Sequence, residues 1–292
     1  MTPIGKPSTN PAAAFDFRDA VVWITGASSG IGAALAKEAC RRGARTVLSA
    51  RREGALNEVK RDCIDGGTPA ERVLVLPLDV AEHAAMPGAV ARVVDAFGRI
   101  DLLVNNAGLS QRSLCLETDL SVYRKLLDVD VLGQIALTKT VLPVMVGQGR
   151  GHLAVTASVA GKVGVPLRTG YCAAKHAMMG FFDALRTEVA HLNIRVTTIV
   201  PGSIKTEIAH NALSASGAPT GASDPFIEAG MEVGACARVI ADGLAAGMEE
   251  IPVGEGREMA LLDLKRTDPV GAFRTLEKVT ADLLAGRPFL VG

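Results

Sequence analysis

Residues 21–32 read Val-Val-Trp-Ile-Thr-Gly-Ala-Ser-Ser-Gly-Ile-Gly, an apolar run followed at once by three closely spaced glycines. The apolar run predicts a buried parallel strand. Residues 33–42 then have a helical pattern that Gly43 ends, and residues 46–50 predict a second strand. The glycines therefore lie between a strand and a helix of a βαβ unit, which is the context of a dinucleotide site.

This glycine turn predicts the residues that hold a pyrophosphate. Glycines permit a tight turn and let the pyrophosphate approach backbone N–H groups at the helix N-terminus. The spacing is Gly-x-x-x-Gly-x-Gly rather than Gly-x-Gly-x-x-Gly. The residues assigned to cofactor binding in this turn are Gly26, Ser28, Ser29, Gly30, Ile31 and Gly32. The alternative is a glycine-rich turn without a ligand.

The end of the second predicted strand indicates which dinucleotide binds. An acidic residue about 20 positions past the glycines would bind a ribose 2′-hydroxyl, but Ser49 and Ala50 stand there. Arg51 and Arg52 follow, and guanidiniums pair well with a phosphate. The sequence therefore predicts NADP(H) in preference to NAD(H). The alternative is that the two arginines only begin a solvated helix over residues 51–62.

Strands and helices alternate along most of the chain. The further predicted strands are residues 73–80, 100–104, 151–156 and 194–200, and the predicted helices include 84–97 and 120–145. This alternation predicts an α/β protein, a single-domain doubly wound Rossmann fold with a parallel sheet. Ligands of such sheets bind beyond the carboxyl ends of the strands. The sequence places Arg51, Asp79, Asn106, Ser158 and Pro201 at such ends.

The two ends of the chain and one internal segment depart from this alternation. The predicted units are a flexible N-terminal arm at residues 1–19, the main domain at 20–254 and a helical C-terminal extension at 255–292. Residues 206–232 lack a periodic pattern, and we expect this segment to cover a substrate. Residues 233–248 predict a helix, and Pro252 makes residues 250–253 an edge strand.

A second motif, Tyr171-x-x-x-Lys175, lies on the helix predicted after residues 151–156. Residues four apart share one helix face. A phenol ordinarily ionises near pH ~10, and a fixed ammonium nearby favours the phenolate, as a general acid or base requires. Ser158 precedes a glycine-rich loop that can bring its hydroxyl beside the phenol. Taken alone, this spacing is common on surface helices.

Composition excludes several classes of function. The 292 residues have a formal net charge of zero, which gives no reason to expect a nucleic-acid partner. No run of 18 or more apolar residues predicts a membrane span, and residues 1–19 lack the apolar core of a signal peptide. The five scattered cysteines indicate reduced thiols and a cytoplasmic location, with no disulfide framework and no metal site.

Together, and in this order, the motifs resemble the short-chain dehydrogenase/reductase family over residues 20–253. The matching motifs are Thr-Gly-Ala-Ser-Ser-Gly-Ile-Gly at residues 25–32, Asn105-Asn106-Ala107-Gly108, Ser158, Tyr171-x-x-x-Lys175 and Pro201-Gly202. Residues 48–52, 75–79 and 110–115 are similar to a branch of the family called dehydrogenase/reductase member seven. That branch has an N-terminal membrane anchor that we do not expect here.

The resemblance implies a seven-stranded sheet and hydride transfer from a nicotinamide. Tyr171 would protonate the carbonyl oxygen, Lys175 would hold the nicotinamide ribose, and Ser158 would polarise the carbonyl. The further cofactor contacts that the resemblance implies come from Asp79 and Val80 at the adenine, Asn106 with Ala107 and Gly108 at the neighbouring ribose, and Pro201, Gly202, Ile204 and Thr206 around the carboxamide and pyrophosphate. It also implies a homodimer or homotetramer, formed by the helices around residues 120–145 and 171–192.

One residue departs from the family pattern. The family usually has an Asn in the helix before Ser158, where it bends the helix and holds a water on the proton path. Here Asp130 takes that position, so we assign it to the catalytic group. A carboxylate can hold the water but cannot donate as an amide does.

The expected function is an NADP(H)-dependent oxidoreductase that interconverts a carbonyl and an alcohol on a small apolar or lipid-like molecule. One alternative is a reductase of 3-oxoacyl thioesters. An alternative of another class is a nucleotide-binding regulator without catalysis, against which Ser158, Tyr171 and Lys175 argue.

Overall fold

A parallel sheet forms the centre of the fold, in a computed structural model that describes residues 14–285. Its seven strands in that range are β1 Val21–Thr25, β2 Arg45–Ser49, β3 Val73–Val75, β4 Leu102–Asn105, β5 Gly151–Thr156, β6 Ile194–Pro201 and β7 Glu250–Val253. Their spatial order is β3-β2-β1-β4-β5-β6-β7, and all neighbouring pairs are parallel. The predicted doubly wound, seven-stranded Rossmann fold is confirmed, and β7 with Pro252 is an edge strand.

Helices cover both faces of this sheet. Their bounds are α1 Gly30–Arg41, α2 Glu53–Asp65, α3 Met86–Phe97, α4 Leu120–Leu127, α5 Gly133–Gln148, α6 Thr169–Val189, α7 Pro225–Glu228, α8 Val233–Ala245, α9 Arg257–Thr267 and α10 Pro269–Leu284. The short helices predicted for the C-terminal extension are α9 and α10. The predicted bounds of the other helices differ by a few residues, as is usual for boundaries read from sequence.

The apolar runs of the strands are explained by burial on both faces. Successive strand residues point to opposite sides, so Ile24 packs in the core beneath α1 and α8, while Trp23 packs in the core beneath α3, α5 and α6. Both side chains are fully buried. The Nε1–H of Trp23 donates to Ser49 Oγ at 2.9 Å, which satisfies its polar group inside the core.

Strand β3 is shorter than the predicted residues 73–80. Regular pairing ends at Val75. The N–H groups of Leu76 and Leu78 still donate to the carbonyls of Leu48 and Ala50, at 2.9 and 3.1 Å. The extended segment therefore continues along β2 to Asp79, as predicted for the carboxyl end, but without a full ladder on either side of Pro77.

The predicted helix over residues 120–145 is two helices joined by a π-helical turn at Asp128–Leu132. Within residues 14–285, the stretch Leu120–Gln148 is the one helix that could cross a membrane by length and composition, and 44% of its most apolar window is buried inside the fold. Core helices pass the same test, so it supports a span only weakly. The exposed apolar side chains in this region are Leu120, Leu127, Leu132 and Val146. Self-association through it stays a prediction.

The flexible arm predicted for residues 1–19 is wrong for residues 14–19. Phe15 and Phe17 are buried, with ring centroids 4.9 Å apart in an edge-to-face contact. The N–H of Phe15 donates to the carbonyl of Ala245 at 2.9 Å. Two aromatic rings bury enough apolar surface to dock this short segment. Residues 1–13 of the predicted arm lie outside the described residues.

A buried histidine lies beside this segment at the amino end of β5. His152 packs edge-on against Phe15, with 5.7 Å between ring centroids, and its Nε2 lies 2.9 Å from Thr197 Oγ1. The Thr197 hydroxyl donates to Met248 O at 2.7 Å, so it accepts from Nε2–H. The other ring nitrogen has no partner among the described residues. Burial, with Arg195 and Arg186 nearby, lowers the pKa of His152 to about 3.

His152 should make the fold sensitive to mild acid. The folded pKa of about 3 lies below the unfolded value, so the unfolded chain binds the proton first, and stability is lost as pH falls below ~6.5. Between pH 7 and pH 5 this loss is about 2 kcal/mol. Urea unfolding at both pH values should show a smaller loss for His152→Gln than for the unmodified protein.

The matched control for that experiment is His191→Gln, which removes an exposed imidazole. It should keep the pH dependence of the unmodified protein. An equal dependence in all three proteins would show that His152 does not set acid sensitivity.

Candidate active site

The glycine turn between β1 and α1 fits a pyrophosphate. Gly26 has φ +67°, a conformation that side chains rarely adopt, and a Cβ there would lie 2.9 Å from Ala107 Cα. A Cβ on Gly32 would lie 2.4 Å from the Gly26 carbonyl oxygen. No side chain caps the N-terminus of α1 in the described structure, so its first N–H groups are free to bind an anion.

The two arginines that follow β2 take different positions. The Nη2 of Arg52 lies 3.3 Å from Ser28 Oγ and 3.5 Å from Ser29 Oγ, so this guanidinium lies beside the glycine turn. Arg51 is exposed at the start of the same segment. Arg52 therefore lies closer to the glycine turn than Arg51 does, a difference that the sequence pattern does not predict.

The Asn106 side chain has a structural role that the sequence did not predict. Its Nδ2 donates to Thr25 O at 3.0 Å, and its Oδ1 accepts from the Thr156 hydroxyl at 3.1 Å. The side chain therefore joins the carboxyl ends of β1, β4 and β5. Each of these two atoms has the capacity for one more hydrogen bond, so the ribose contact expected of Asn106 stays a prediction.

Ser158 follows the carboxyl end of β5, and Tyr171 lies on α6. The Ser158 hydroxyl accepts from Ala160 N–H at 3.1 Å and reaches Pro201 O at 3.4 Å. Tyr171 is half-buried in the first turn of α6. The ammonium of Lys175, one turn later, lies 5.5 Å from the Tyr171 ring centroid, which confirms that the two side chains share a helix face.

Lys175 is a buried charged group of the site. It is 4% exposed, and its Nζ donates to Thr156 O at 3.1 Å and lies 3.3 Å from Asp130 Oδ2. Burial alone would lower the pKa of Lys175, but the charge of Asp130 and the Tyr171 phenol together raise it. The ammonium therefore stays charged at neutral pH.

Asp130 forms this ion pair from the π-helical turn. It is fully buried, and its Oδ1 accepts from Leu109 N–H at 2.7 Å. Burial raises the pKa of Asp130, against the opposing charge of Lys175. Oδ2 receives no aligned hydrogen bond from the described residues. Asp130 thus faces Lys175 directly, whereas the sequence led us to expect a water between them.

The other predicted residues lie along the same edge of the sheet. Asp79 is half-buried and accepts from Ala81 N–H at 3.0 Å, and the carbonyl of Val80 packs against Gly133. Thr206 and its neighbour Ile204 follow β6, and a Cβ on Gly30 would lie 3.2 Å from Thr206 Cγ2. Thr206 therefore lies beside the glycine turn, and the cofactor contacts expected of Asp79, Val80 and Ile204 stay predictions.

The C-terminal extension contributes a residue that sequence reasoning missed. Glu258 of α9 accepts from Ser203 N–H at 2.7 Å, and a Cβ on Gly202 would lie 2.7 Å from Glu258 Cγ. The Pro201-Gly202 turn is therefore held from the side by α9. The sequence pattern had no signal for this contact, since Glu258 lies 55 residues away from Ser203.

Comparisons with known proteins agree with this geometry. The sequence model of the short chain dehydrogenase family matches residues 20–217. The chain belongs to the short-chain dehydrogenase/reductase family. It is 43% identical to Dehydrogenase/reductase SDR family member 7 from Homo sapiens over 243 residues, 82% of this chain and 72% of that protein. It is 37% identical to member 7B from Mus musculus over 236 residues, 80% of this chain and 73% of that protein.

Solved structures of the family share the fold. A metagenomic short-chain oxidoreductase in complex with NADP is 27% identical, with a TM-score of 0.67 over 81% of this chain and 98% of that one. A Burkholderia phymatum family member in complex with NAD is 23% identical, with a TM-score of 0.74 over 95% of this chain and 99% of that one, and shows the fold alone. Family membership supports the predicted NAD(P)-dependent oxidoreductase.

Asp130→Asn should shift the basic limb of the oxidative kcat profile toward lower pH. The Asp130 carboxylate lies 3.3 Å from the Lys175 ammonium and offsets part of its charge, so removing the carboxylate leaves the full field of the ammonium in the site. Steady-state kinetics with an alcohol substrate and NADP⁺ at a series of alkaline pH values measure the shift.

Asp128→Asn is the matched control, because it removes the same charge from an exposed position of the same π-helical turn. Solvent screens that charge, so the kcat profile should not move. An unchanged profile in Asp130→Asn would remove Asp130 from the electrostatics of the site.

Proposed function

We propose that this short-chain dehydrogenase/reductase interconverts a carbonyl and an alcohol on a small apolar or lipid-like substrate, with NADP(H) as its cofactor. The observation that carries the proposal is the buried ammonium of Lys175, which lies between the Asp130 carboxylate and the Tyr171 ring. A charged lysine held this tightly beside a half-buried phenol is an arrangement suited to general acid and base catalysis.

The chain's own residues would hold the substrate and move one proton. A bound nicotinamide supplies the hydride. Tyr171 would donate its phenolic proton to the carbonyl oxygen in reduction and recover it in oxidation. The Ser158 hydroxyl would hydrogen-bond the same oxygen; its present contact with Pro201 O is long, at 3.4 Å, and can be exchanged for a substrate. Lys175 would support the phenolate form by its charge.

The preference for NADP(H) is supported by charge beside the glycine turn. The end of β2 has no carboxylate that would repel a 2′-phosphate. The Arg52 guanidinium lies beside Ser28 and Ser29, and Arg51 precedes it. These four polar side chains are suited to a phosphate on the adenosine ribose.

An apolar substrate is supported by a cleft of about 640 Å³ near the site. The cleft lies between the segment that follows Ser158 and helix α10. Its apolar walls include Val165, Pro166, Phe273 and Leu276, and Cys172, the residue after Tyr171, also borders it. Arg274, Glu277 and Thr280 also line this open cleft, whereas Ser158, Tyr171 and Lys175 do not. It can therefore bind the apolar part of a substrate whose carbonyl group lies outside it.

One screen separates this function from the alternatives. Oxidation of NADPH would be followed with aliphatic, aromatic and terpenoid ketones and aldehydes and with 3-oxoacyl thioesters, and NADH would be tested in parallel. The proposal predicts turnover of apolar carbonyl compounds. Turnover of the thioesters alone would favour the reductase alternative, and cofactor binding without turnover would favour a regulator.

Tyr171→Phe should retain cofactor binding and lose most turnover, because only the phenolic proton is removed. General acid catalysis contributes roughly 10²–10⁴-fold, so kcat should fall by about that factor. Tyr123→Phe, at the other tyrosine of the chain, is the matched control and should keep most activity. Retention of more than about half of kcat in Tyr171→Phe would contradict the assignment.

Arg51→Ala and Arg52→Ala should each weaken NADPH binding and leave NADH binding nearly unchanged, because only NADPH has the 2′-phosphate. A charge-assisted hydrogen bond contributes ~1.5–3 kcal/mol, about one to two decades in Kd. Cofactor titration by fluorescence measures both constants. Arg61→Ala, an exposed arginine of α2, is the control. Equal weakening of both cofactors would make the substituted arginine structural.

A further inference from the structure

Asp224 is a buried carboxylate within the segment over residues 206–232. It is 1% exposed, and its Oδ2 accepts from the guanidiniums of both Arg112 and Arg168, the latter at 2.6 Å. Its Oδ1 accepts from Phe226 N–H at 3.0 Å and caps α7. The sequence had suggested no chemistry in this segment, because Asp224 acquires its partners only from distant parts of the chain.

The two arginines come from the two segments that frame the proposed catalytic residues. Arg168 directly precedes α6, three residues before Tyr171, and its carbonyl accepts from Cys172 N–H at 2.8 Å. Arg112 follows the Asn-Asn-Ala-Gly turn of β4. Its neighbour Gln111 accepts from Gly170 N–H at 2.7 Å, at the start of the same helix. Asp224 is thus joined to Tyr171 through two separate connections.

Backbone hydrogen bonds continue the connection along the segment. Leu213 N–H donates to Ser110 O at 2.8 Å, and Leu213 O accepts from Arg112 N–H at 2.8 Å. Farther along, Ala215 O accepts from Asp119 N–H at 2.9 Å. The 206–232 segment is therefore docked on residues 110–119 through Leu213 and Ala215.

A strained residue lies at the same junction. Leu167 has φ +63°, in the left-handed region that glycine favours. Its carbonyl accepts from Ser113 N–H at 2.9 Å. Such a conformation persists only when neighbouring contacts stabilise it. Here the ion pair between Arg168 and Asp224 and the hydrogen bond from Ser113 N–H to the Leu167 carbonyl both do so.

We infer that Asp224 is a latch which holds the 206–232 segment closed over the substrate side of the site, and that it is a specificity-determining residue of the carbonyl–alcohol reaction. This second part rests on the proposed function. Without the carboxylate, two guanidiniums of like charge would face each other across the junction and separate the segments that they belong to. The substrate would then contact a less ordered 206–232 segment, while the glycine turn proposed to bind the cofactor would be unaffected.

The carboxylate is suited to this role over the neutral pH range. Burial alone would raise the pKa of Asp224, but Arg168, the Phe226 N–H and Arg112 together lower it. The latch therefore remains charged whenever the two arginines are in place.

Hydrogen exchange measured by mass spectrometry tests the latch without any substrate. In Asp224→Asn, the peptides that cover residues 206–232 should exchange about tenfold faster or more, because the Leu213 amide loses its protected position. Peptides from β4, β5 and β6 should be unchanged. Glu232→Gln is the matched control, since it removes an exposed carboxylate paired with Lys205 from the same segment. It should exchange as the unmodified protein does.

Steady-state kinetics test the effect on specificity. With a carbonyl substrate found by the NADPH screen, Asp224→Asn should raise KM about tenfold, change kcat by less than about threefold and keep the Kd of NADPH within about twofold. A merely structural defect would lower kcat and weaken NADPH as well. If Asp224→Asn does not fold, Arg112→Gln and Arg168→Gln, which each leave one partner, should give smaller increases in exchange and in KM.

The outcomes separate the latch from the proposed function. Exchange within about twofold of the unmodified protein in all three variants would overturn the latch. Faster exchange with an unchanged KM would overturn its part in specificity. An inactive screen would count against the proposed function alone, because the exchange measurement would still decide whether Asp224 holds the segment closed.

Discussion

The contact between Lys175 and the Asp130 carboxylate is the constraint on which the site depends. The ammonium has almost no contact with solvent, so its charge has to be balanced inside the protein. Asp130 supplies the opposite charge from the π-helical turn, and Thr156 supplies a carbonyl from the end of β5. Helix α6, the turn between α4 and α5, and the sheet are therefore fixed relative to each other by one buried cation, and Tyr171 takes its position from that same helix.

The parallel sheet makes this convergence possible. All strands end at one edge, and the strand order reverses between β1 and β4, which opens a crevice at that point. Asn106 lies in the crevice and hydrogen-bonds the ends of β1 and β5. Asn106 therefore links the end of β1, where the glycine turn begins, to Thr156 of β5, whose carbonyl accepts from Lys175. A ligand that contacts both the glycine turn and Lys175 would bind to a preformed surface, which lowers the conformational entropy lost on binding.

The proposed substrate side is built differently, from loops and from helices α9 and α10. Segments 110–119, 163–169 and 206–232 are joined by Asp224 and by backbone hydrogen bonds. Helix α9 holds the Pro201-Gly202 turn through Glu258, and α10 lines the apolar cleft. None of these elements belongs to the regular alternation of strands and helices. The proposed cofactor side is therefore held by secondary structure, and the proposed substrate side by a few polar contacts between loops.

The sequence by itself determined the α/β class, the parallel sheet, the glycine turn and the pairing of Tyr171 with Lys175. These features are local: apolar runs, glycine positions and a spacing of four residues are set by the periodicity and sterics of the backbone over short distances. Tertiary structure alone decided the engagement of the Asn106 amide, the direct contact of Asp130 with Lys175 and the docking of Phe15. It also decided the place of Asp224 between arginines 56 and 112 residues away. Such pairings are set by the packing of separate segments, and a carboxylate in an unpatterned loop shows nothing of its partners until the chain is folded.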